Sequence, residues 1–274
     1  KGVPTAMLIP NAESGFVNSS ITSRLLGLRK FRLNNINKVS KYISISTSIR
    51  AELEGYGVHK DRIVDIPFGI NTNRFKPVDK SEKAHLKNEL GFNNDLLLIS
   101  AGEITQRKYQ KLLIEALVAS EEKYFNVLLV GPRGKVLDQS EEILNMVKSH
   151  GLVDRFKWIP FTPDIHKLYQ AADIFVLPSN NEGLANAMLE AMSSGLPAIV
   201  TRISGAIDVV KEGVTGFFIE RRVESLSGVL SMVRNDAALL LRTGENAREL
   251  VLNYCSQELV LQKHIELFTT LRSR

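Results

Sequence analysis

Two carboxylates that could bind a polar ligand stand eight residues apart, at Glu182 and Glu190, in the stretch NEGLANAMLEAMSSGLP. Most of this stretch has the composition of a buried helix, and burying a carboxylate without a partner is costly. An ionised carboxylate accepts hydrogen bonds through two oxygens, which suits the two neighbouring hydroxyls of a ribose. The alternative for Glu190 is a place on a polar stripe that faces solvent.

The residues beside Glu182 could also bind an anion. Gly183 allows a ligand to approach the backbone closely, and a helix predicted to begin near Ala185 leaves free N–H groups at its N-terminus. Such a terminus is a ready anion site. Arg107 and Lys108 could add fixed positive charges that neutralise phosphates. Taken alone, these two cations also fit the solvated start of a helix.

The elements that must position these residues alternate between short β-rich runs and helical patterns. From residue 96 onward the runs show no in/out alternation, which indicates a parallel sheet covered by helices on both faces. These predicted strands cover residues 96–102, 126–131, 155–160, 173–178, 197–201 and 215–219. The earlier part follows the same pattern, with strands at 5–9, 42–46 and 62–67 and helices within 17–37 and from Thr47 to about Tyr56. The chain is therefore predicted to have an α/β fold with a doubly wound parallel sheet.

Polar clusters follow five of the later strands, at residues 102–109, 131–135, 161–164, 179–186 and 202–208. In open α/β sheets, ligands bind outside the carboxyl ends of the strands. Five loops that meet at one rim therefore predict a pocket there.

Composition bounds the class of protein. The chain has 274 residues, of which 44% are hydrophobic and 24% charged, as in a globular protein with a sizeable core. No apolar run approaches the ~18 residues of a membrane span, so a cytoplasmic location is expected. One cysteine, Cys255, excludes an internal disulfide framework and is expected to fill apolar space.

The formal net charge of +5 is unevenly distributed. No acidic residue occurs from Ser14 to Ala51, and seven basic residues lie in the stretch from Arg24 to Arg50. This basic stretch could contact an anionic membrane surface, or it could be a solvated basic face. No nucleic-acid recognition motif accompanies it, so no nucleic-acid partner is expected.

The chain also resembles a known family. The residues that carry the resemblance are Glu182, Gly183, Glu190, Ala191, Met192, Gly195 and Pro197, supported by the segments 66–77, 168–179 and 204–220. Together they resemble the E-x7-E signature and flanking segments of the retaining GT-B glycosyltransferases of family 4.

The resemblance implies a domain organisation. Residues 1–78 would form the C-terminal portion of an acceptor-side α/β domain with its hinge, and that domain would lack its first part. Three strands are also few for a free-standing doubly wound sheet. Residues 79–255 would form a Rossmann-like domain that binds the sugar donor. Residues 256–274 would form a helix that packs back toward the first domain, with its apolar face predicted at Leu259, Leu261, Ile265, Leu267 and Leu271.

The resemblance also implies an activity. The donor would be a nucleoside-diphosphate sugar, with UDP the commonest carrier, and the sugar would pass with retention to a glycan or lipid-linked acceptor. No obligatory metal or other cofactor is implied, and the chain has no Asp-x-Asp motif. Location would be cytoplasmic, with possible peripheral contact at the inner membrane face.

The family's site residues map onto this sequence one by one. Glu190 would accept the ribose hydroxyls, and Lys108 with Arg107 would bind the phosphates. Glu182, a possible catalytic residue, would face the donor sugar and diphosphate together with the backbone of Gly183, Leu184, Ala185 and Asn186. The family's catalytic histidine would lie before Lys1, and the five histidines of this chain are interpreted as surface residues.

Three residues depart from the family pattern. Glu103 replaces an arginine, and its charge would repel a diphosphate unless Arg107 compensates. Tyr109 replaces a glycine and would narrow its loop, and Asp208 replaces a glutamate. Because of Glu103, one alternative is that the chain is a non-catalytic nucleotide-sugar-binding fragment or a degenerate homologue. A nucleotide-sugar epimerase on the same scaffold is a further alternative.

Overall fold

The computed structural model describes residues 4–9, 38–92, 95–119 and 124–273. The smaller of its two sheets is parallel, with strand order β1-β2-β3, and consists of β1 (Ala6–Ile9), β2 (Lys41–Ser44) and β3 (Ile63–Asp65). Helix α1 (Thr47–Gly55) connects β2 to β3 and is capped by Ser46, whose side chain accepts from the Ile49 amide. These elements confirm the predicted order, and the helix predicted within 17–37 lies outside the described residues.

The larger sheet has six parallel strands in the order β6-β5-β4-β7-β8-β9. They are β4 (Leu96–Ala101), β5 (Phe125–Val130), β6 (Phe156–Ile159), β7 (Ile174–Leu177), β8 (Ala198–Thr201) and β9 (Gly216–Ile219). All six strands predicted from residue 96 onward are confirmed. Their apolar runs are continuous because helices bury both faces of the sheet.

Helices cover the larger sheet in two layers. They are α2 (Lys80–Glu89), α3 (Lys111–Ala119), α4 (Ser140–Ser149), α5 (Ile165–Ala171), α6 (Asn186–Ser193), α7 (Val223–Asn235), α8 (Ala237–Cys255) and α9 (Gln257–Arg272). Buried residues of α3, α4 and α7 form one core, and those of α5, α6 and α8 form another. The second core is continuous with that of the smaller sheet, so α6 lies on the side that joins the two sheets.

The strand order creates a crevice at one place on the larger sheet. The chain passes outward from β4 through β5 to β6, then returns to β7 on the other side of β4. The loops that leave β4 and β7 therefore run in opposite directions, and this switch point is where open α/β sheets bind ligands. The loops 102–110 and 178–185 meet there.

The two sheets are joined by the segment 66–79 and by the junction of α8 with α9. The Ile70 amide donates to the Cys255 carbonyl at 2.8 Å, and the Gln257 amide donates to the Ile70 carbonyl at 2.9 Å. Further along, Ser193 of α6 donates its hydroxyl to the Phe75 carbonyl at 2.6 Å. The connecting segment is thus bonded directly to α6. The division at residues 78 and 255 stays a prediction.

The predicted apolar face of α9 is wrong in part. Val260, Leu267 and Leu271 are buried, whereas Leu261 and Ile265 are exposed. Val260 packs against the connecting segment, where a Cβ added to Gly69 would lie 3.3 Å from the Val260 Cβ. Cys255, at the preceding junction, is buried as expected, and burial raises the pKa of its thiol to about 12.

Two helical glycines provide a matched test of how closely α6 and α8 pack. A Cβ at Gly244 of α8 would lie 2.2 Å from the Gly195 carbonyl oxygen, whereas a Cβ at Gly228 of α7 would meet nothing within 4 Å. We expect Gly228→Ala to raise the free energy of unfolding by about 0.5–1 kcal/mol through helix propensity. Gly244→Ala should lower it by about 1–3 kcal/mol, because the backbones must separate. Urea unfolding checks both, and a stabilised Gly244→Ala protein would contradict this packing.

Candidate active site at the sheet switch point

The crevice contains a cluster of three charged side chains. One carboxylate oxygen, Oε1 of Glu182, lies 2.7 Å from Arg107 Nη1 and 3.2 Å from Lys108 Nζ. It also accepts from the Ser179 hydroxyl at 3.1 Å. The Glu182 and Lys108 side chains are only 14% and 13% exposed, and Arg107 is 45% exposed. The two loops of the switch point are therefore joined by an ion-pair cluster in which Glu182 and Lys108 are largely shielded from water and Arg107 is partly exposed.

Lys108 reaches Glu182 by lying over the backbone at the end of β4. A Cβ at Gly102 would lie 2.6 Å from Lys108 Nζ, and the φ of +136° at Gly102 favours glycine in any case. The neighbouring strand end is equally tight, since a Cβ at Gly131 would lie 2.1 Å from the Gly102 carbonyl oxygen. Glycine at both positions is thus a condition for the position of Lys108.

The N-terminus of α6 stands beside this cluster. The helix begins at Asn186, as predicted, and its N-cap residue Ala185 makes no side-chain capping bond. Leu184 is buried, and the Gly183 carbonyl packs so closely on Gly205 that a Cβ there would lie 2.0 Å away. First-turn N–H groups without a side-chain cap are suited to bind an anion.

Glu190 lies further along α6, roughly 6 Å from its first residue at 1.5 Å per residue. Its side chain is half-buried, and burial raises the pKa of its carboxyl above the ordinary range. The Tyr169 hydroxyl donates to Glu190 Oε2 at 3.4 Å and, with the charge of Arg74, opposes that rise. Tyr169 is fully buried, so Glu190 has a built partner and is not simply one member of a solvent-facing stripe.

The three departures from the family pattern each have a structural context. Glu103 Oε1 accepts from the Lys135 amide at 2.8 Å, whereas Arg107 pairs with Glu182. Tyr109 adopts a left-handed φ of +52°, a conformation that glycine takes without strain. Asp208 accepts from the backbone amide of Thr47 at 2.8 Å, at the first turn of α1. Asp208 therefore links the larger sheet to the smaller one.

Sequence reasoning missed residues that surround the site. His166 was interpreted as a surface residue, but its Nδ1 is buried without a partner, and burial together with Arg74 lowers the pKa of its imidazole. Arg74 itself donates to the Pro163 carbonyl. His166 and Tyr169 stand three residues apart on α5, and this spacing places both on one helix face. Because Tyr169 is buried, the spacing was the sequence signal that His166 also turns inward.

Two features are absent from the described ranges. No group of three or more His, Cys, Asp or Glu side chains in them is arranged to hold a metal ion. Among the described helices, none combines the length and the apolar character needed to cross a bilayer.

Comparison with known proteins gives the family. Residues 82–250, more than half of the chain, match the family model of glycosyl transferases group 1. The chain belongs to this glycosyltransferase family.

Curated relatives carry related names. The chain is 34% identical over 167 residues to a putative glycosyltransferase EpsD of Bacillus subtilis, which covers 58% of this chain and 43% of that protein. It is 26% identical to the N,N'-diacetylbacillosaminyl-diphospho-undecaprenol alpha-1,3-N-acetylgalactosaminyltransferase of Campylobacter jejuni, covering 95% of this chain and 69% of that one. The chain spans about half the length of several curated relatives it matches, for example 43%, 38% and 53%.

Solved structures show the fold. HepE of Anabaena in complex with UDP superposes with a TM-score of 0.86 at 21% identity, covering 97% of this chain and 72% of that one. Sucrose-phosphate synthase of Thermosynechococcus elongatus gives a TM-score of 0.78 at 22% identity, covering 95% and 64%. The predicted GT-B type of α/β fold is confirmed.

The burial of Glu190 predicts a stability cost that depends on pH. A carboxyl whose pKa is raised in the folded state binds more protons folded than unfolded, so stability falls as pH rises above the ordinary value. Glu190→Gln keeps an acceptor for Tyr169 and removes the charge. We expect the variant to be more stable than the parent at pH 7, with the difference shrinking toward pH 4.

Urea unfolding between pH 4 and pH 8 measures this effect. The matched control is Glu245→Gln, at an exposed glutamate of α8, which should change stability little at any pH. A Glu190→Gln protein less stable than the parent at pH 7 would contradict the assigned cost of burial.

Proposed function

We propose that the chain contains the donor site of a retaining family 4 glycosyltransferase, which transfers a sugar from a nucleoside-diphosphate sugar to a glycan or lipid-linked acceptor. The observation that carries the proposal is the cluster of Arg107, Lys108 and Glu182 at the switch point, beside the N-terminus of α6. Retention rests on the family resemblance.

The diphosphate of the donor would bind at the two cations. When the glycosidic bond breaks, negative charge builds on the leaving diphosphate, and fixed donors placed at that charge lower the barrier. Lys108, Arg107 and the first-turn amides of α6 would supply those donors without a metal. Glu182 contacts both cations, and the phosphates would take over that contact.

The nucleoside would extend along α6 toward Glu190. Its carboxylate would accept hydrogen bonds from the ribose hydroxyls, while the Tyr169 hydroxyl holds the other side of the same group. The energetic cost of burying Glu190 would be recovered when the ribose replaces its lost water.

Names and ligands of similar proteins support this proposal. HepE of Anabaena has been solved with UDP and with UDP-glucose, which favours a uridine nucleotide as the donor carrier. The Campylobacter jejuni relative is named for a diphospho-undecaprenol acceptor, which favours a lipid-linked acceptor in this protein as well.

A lipid-linked acceptor would place the reaction at the cytoplasmic face of a membrane. Most of the basic stretch from Arg24 to Arg50 lies outside the described residues. Arg50 itself pairs with Asp65 at 2.8 Å and with Glu54 at 3.4 Å, so its charge is balanced within the protein. The case for membrane contact therefore depends on the remaining basic residues of the stretch.

Thermal unfolding with UDP, GDP and ADP tests the donor site. A ligand that binds only the folded state, present at about ten times its Kd, adds about 1.4 kcal/mol to the free energy of unfolding. For a chain of this size we expect one nucleotide to raise the unfolding midpoint by about 3–5 °C. Glu190→Ala should lose the shift, and the control Glu245→Ala should keep it.

An unshifted midpoint with all three nucleotides would contradict the donor site. With the nucleotide identified, incubation of its sugar conjugates without an acceptor separates the activities. Isomerisation of the sugar would indicate an epimerase, whereas a transferase turns the donor over when a glycan or lipid-linked acceptor is added.

A further inference from the structure

Arg221 connects three segments around the switch point. It lies between β9 and α7, two residues after the last residue of β9. Its Nε donates to the Pro178 carbonyl at 3.1 Å, and its Nη2 donates to the Gln106 carbonyl at 2.9 Å. Pro178 directly follows β7, and Gln106 belongs to the loop after β4. Arg221 thus bonds both loops of the crevice at once.

To make these bonds the side chain must pass the end of β8. Strand β8 separates β9 from β7, so the segment that follows β9 and the loops that follow β7 and β4 must approach one another above the end of β8. Arginine combines a long side chain with a planar fork of donors that can serve two carbonyl groups together. A lysine ammonium has the charge without the fork.

Arg221 also contacts Tyr109, the residue that follows the cations Arg107 and Lys108 in the chain. Its guanidinium carbon lies 4.6 Å from the centre of the Tyr109 ring. Tyr109 needs such support because its φ of +52° is strained for a residue with a Cβ. Its hydroxyl donates to Glu115 of α3 at 2.8 Å, so the ring is held from two directions.

The contacts of Arg221 therefore bracket the cation pair. Gln106 comes directly before Arg107, and Tyr109 comes directly after Lys108. The loop makes a further bond to the other side of the crevice, since the Asn180 amide donates to the Arg107 carbonyl at 3.0 Å.

We propose that Arg221 is a positioning residue for the donor site, which fixes the backbone of residues 106–109 so that Arg107 and Lys108 meet the diphosphate. This rests on the proposed function. Its Nε and Nη2 are occupied by protein carbonyls, so Arg221 acts through its neighbours and does not need to touch the phosphates itself. Tyr109, which stands where the family has glycine, contributes to the same positioning because the Arg221 guanidinium stacks on its ring.

Hydrogen exchange measures the positioning directly. We expect the amides of Tyr109 and Asn180, which are bonded within and across the loops, to exchange about tenfold faster in Arg221→Gln. Amides in the middle of β4 should be unchanged, which also shows that the variant is folded. The matched control is Arg222→Gln, since the neighbouring Arg222 is 61% exposed and pairs with Glu220.

Nucleotide affinity measures the consequence for the site. UMP and UDP differ by one phosphate, so the ratio of their Kd values reports the contribution of the second phosphate to binding. We expect Arg221→Gln to raise the Kd of UDP about tenfold and the Kd of UMP less than about threefold. A tenfold change corresponds to the loss of one charge-assisted hydrogen bond to a phosphate. Arg222→Gln should leave both affinities at the wild-type values.

Arg221→Lys separates geometry from charge. The proposal predicts that lysine restores neither slow exchange nor the UDP affinity, because one ammonium cannot bond both carbonyls. Full rescue by lysine, or unchanged exchange in Arg221→Gln, would overturn it. If another nucleoside diphosphate shifts the unfolding midpoint, it and its monophosphate replace UDP and UMP in this comparison. If none does, the proposed donor site is wrong, and hydrogen exchange still decides whether Arg221 fixes residues 106–109.

Discussion

The shared contact of Glu182 with Arg107 and Lys108 is the interaction on which the rest of the site depends. It joins the two loops that leave the sheet at its switch point, and it brings three charges together, of which Glu182 and Lys108 are largely shielded from water while Arg107 is partly exposed. Buried charges need compensation, and because both cations share one oxygen of Glu182, only removal of Glu182 takes this partner from both of them. A diphosphate could replace the carboxylate and still satisfy both cations, which agrees with the proposed nucleoside-diphosphate sugar.

The same helix that faces this cluster is bonded to the segment between the two sheets. Ser193 at the end of α6 donates to the Phe75 carbonyl, and the Phe75 ring lies 6.1 Å from that of Tyr169, the partner of Glu190. The segment 66–79 is therefore in contact with both α6 and α5. Under the proposed function, with donor and acceptor on different sheets, this connection would join the donor-binding helix to the acceptor side.

Much of the fold could be predicted because strands buried on both faces leave continuous apolar runs in the sequence. The loops that follow parallel strands then lie together at the carboxyl edge of the sheet. An unusual carboxylate in an apolar helix singled out Glu190, which is half-buried and bonded by Tyr169, and its role toward a ribose stays a prediction. Other contacts could not be predicted, because they depend on which of two adjacent, chemically similar residues turns toward the protein interior. Arg221 and Arg222 are adjacent, as are Val260 and Leu261, and only tertiary contacts decide between them. The left-handed backbone of Tyr109 is signalled only by the glycine that the family has at this position, since tyrosine itself argues against it.

The most direct measurement is the UDP affinity of Glu182→Gln beside the wild type, by calorimetry at low salt. If Glu182 holds the two cations in place of the phosphates, removing its charge while keeping an acceptor should tighten UDP binding about tenfold. One unit charge at roughly 4 Å is worth about 1–4 kcal/mol at such a site, so the effect should be clear. Weaker or unchanged UDP binding in Glu182→Gln would contradict the account, because the cations would then not be the diphosphate site that Glu182 occupies.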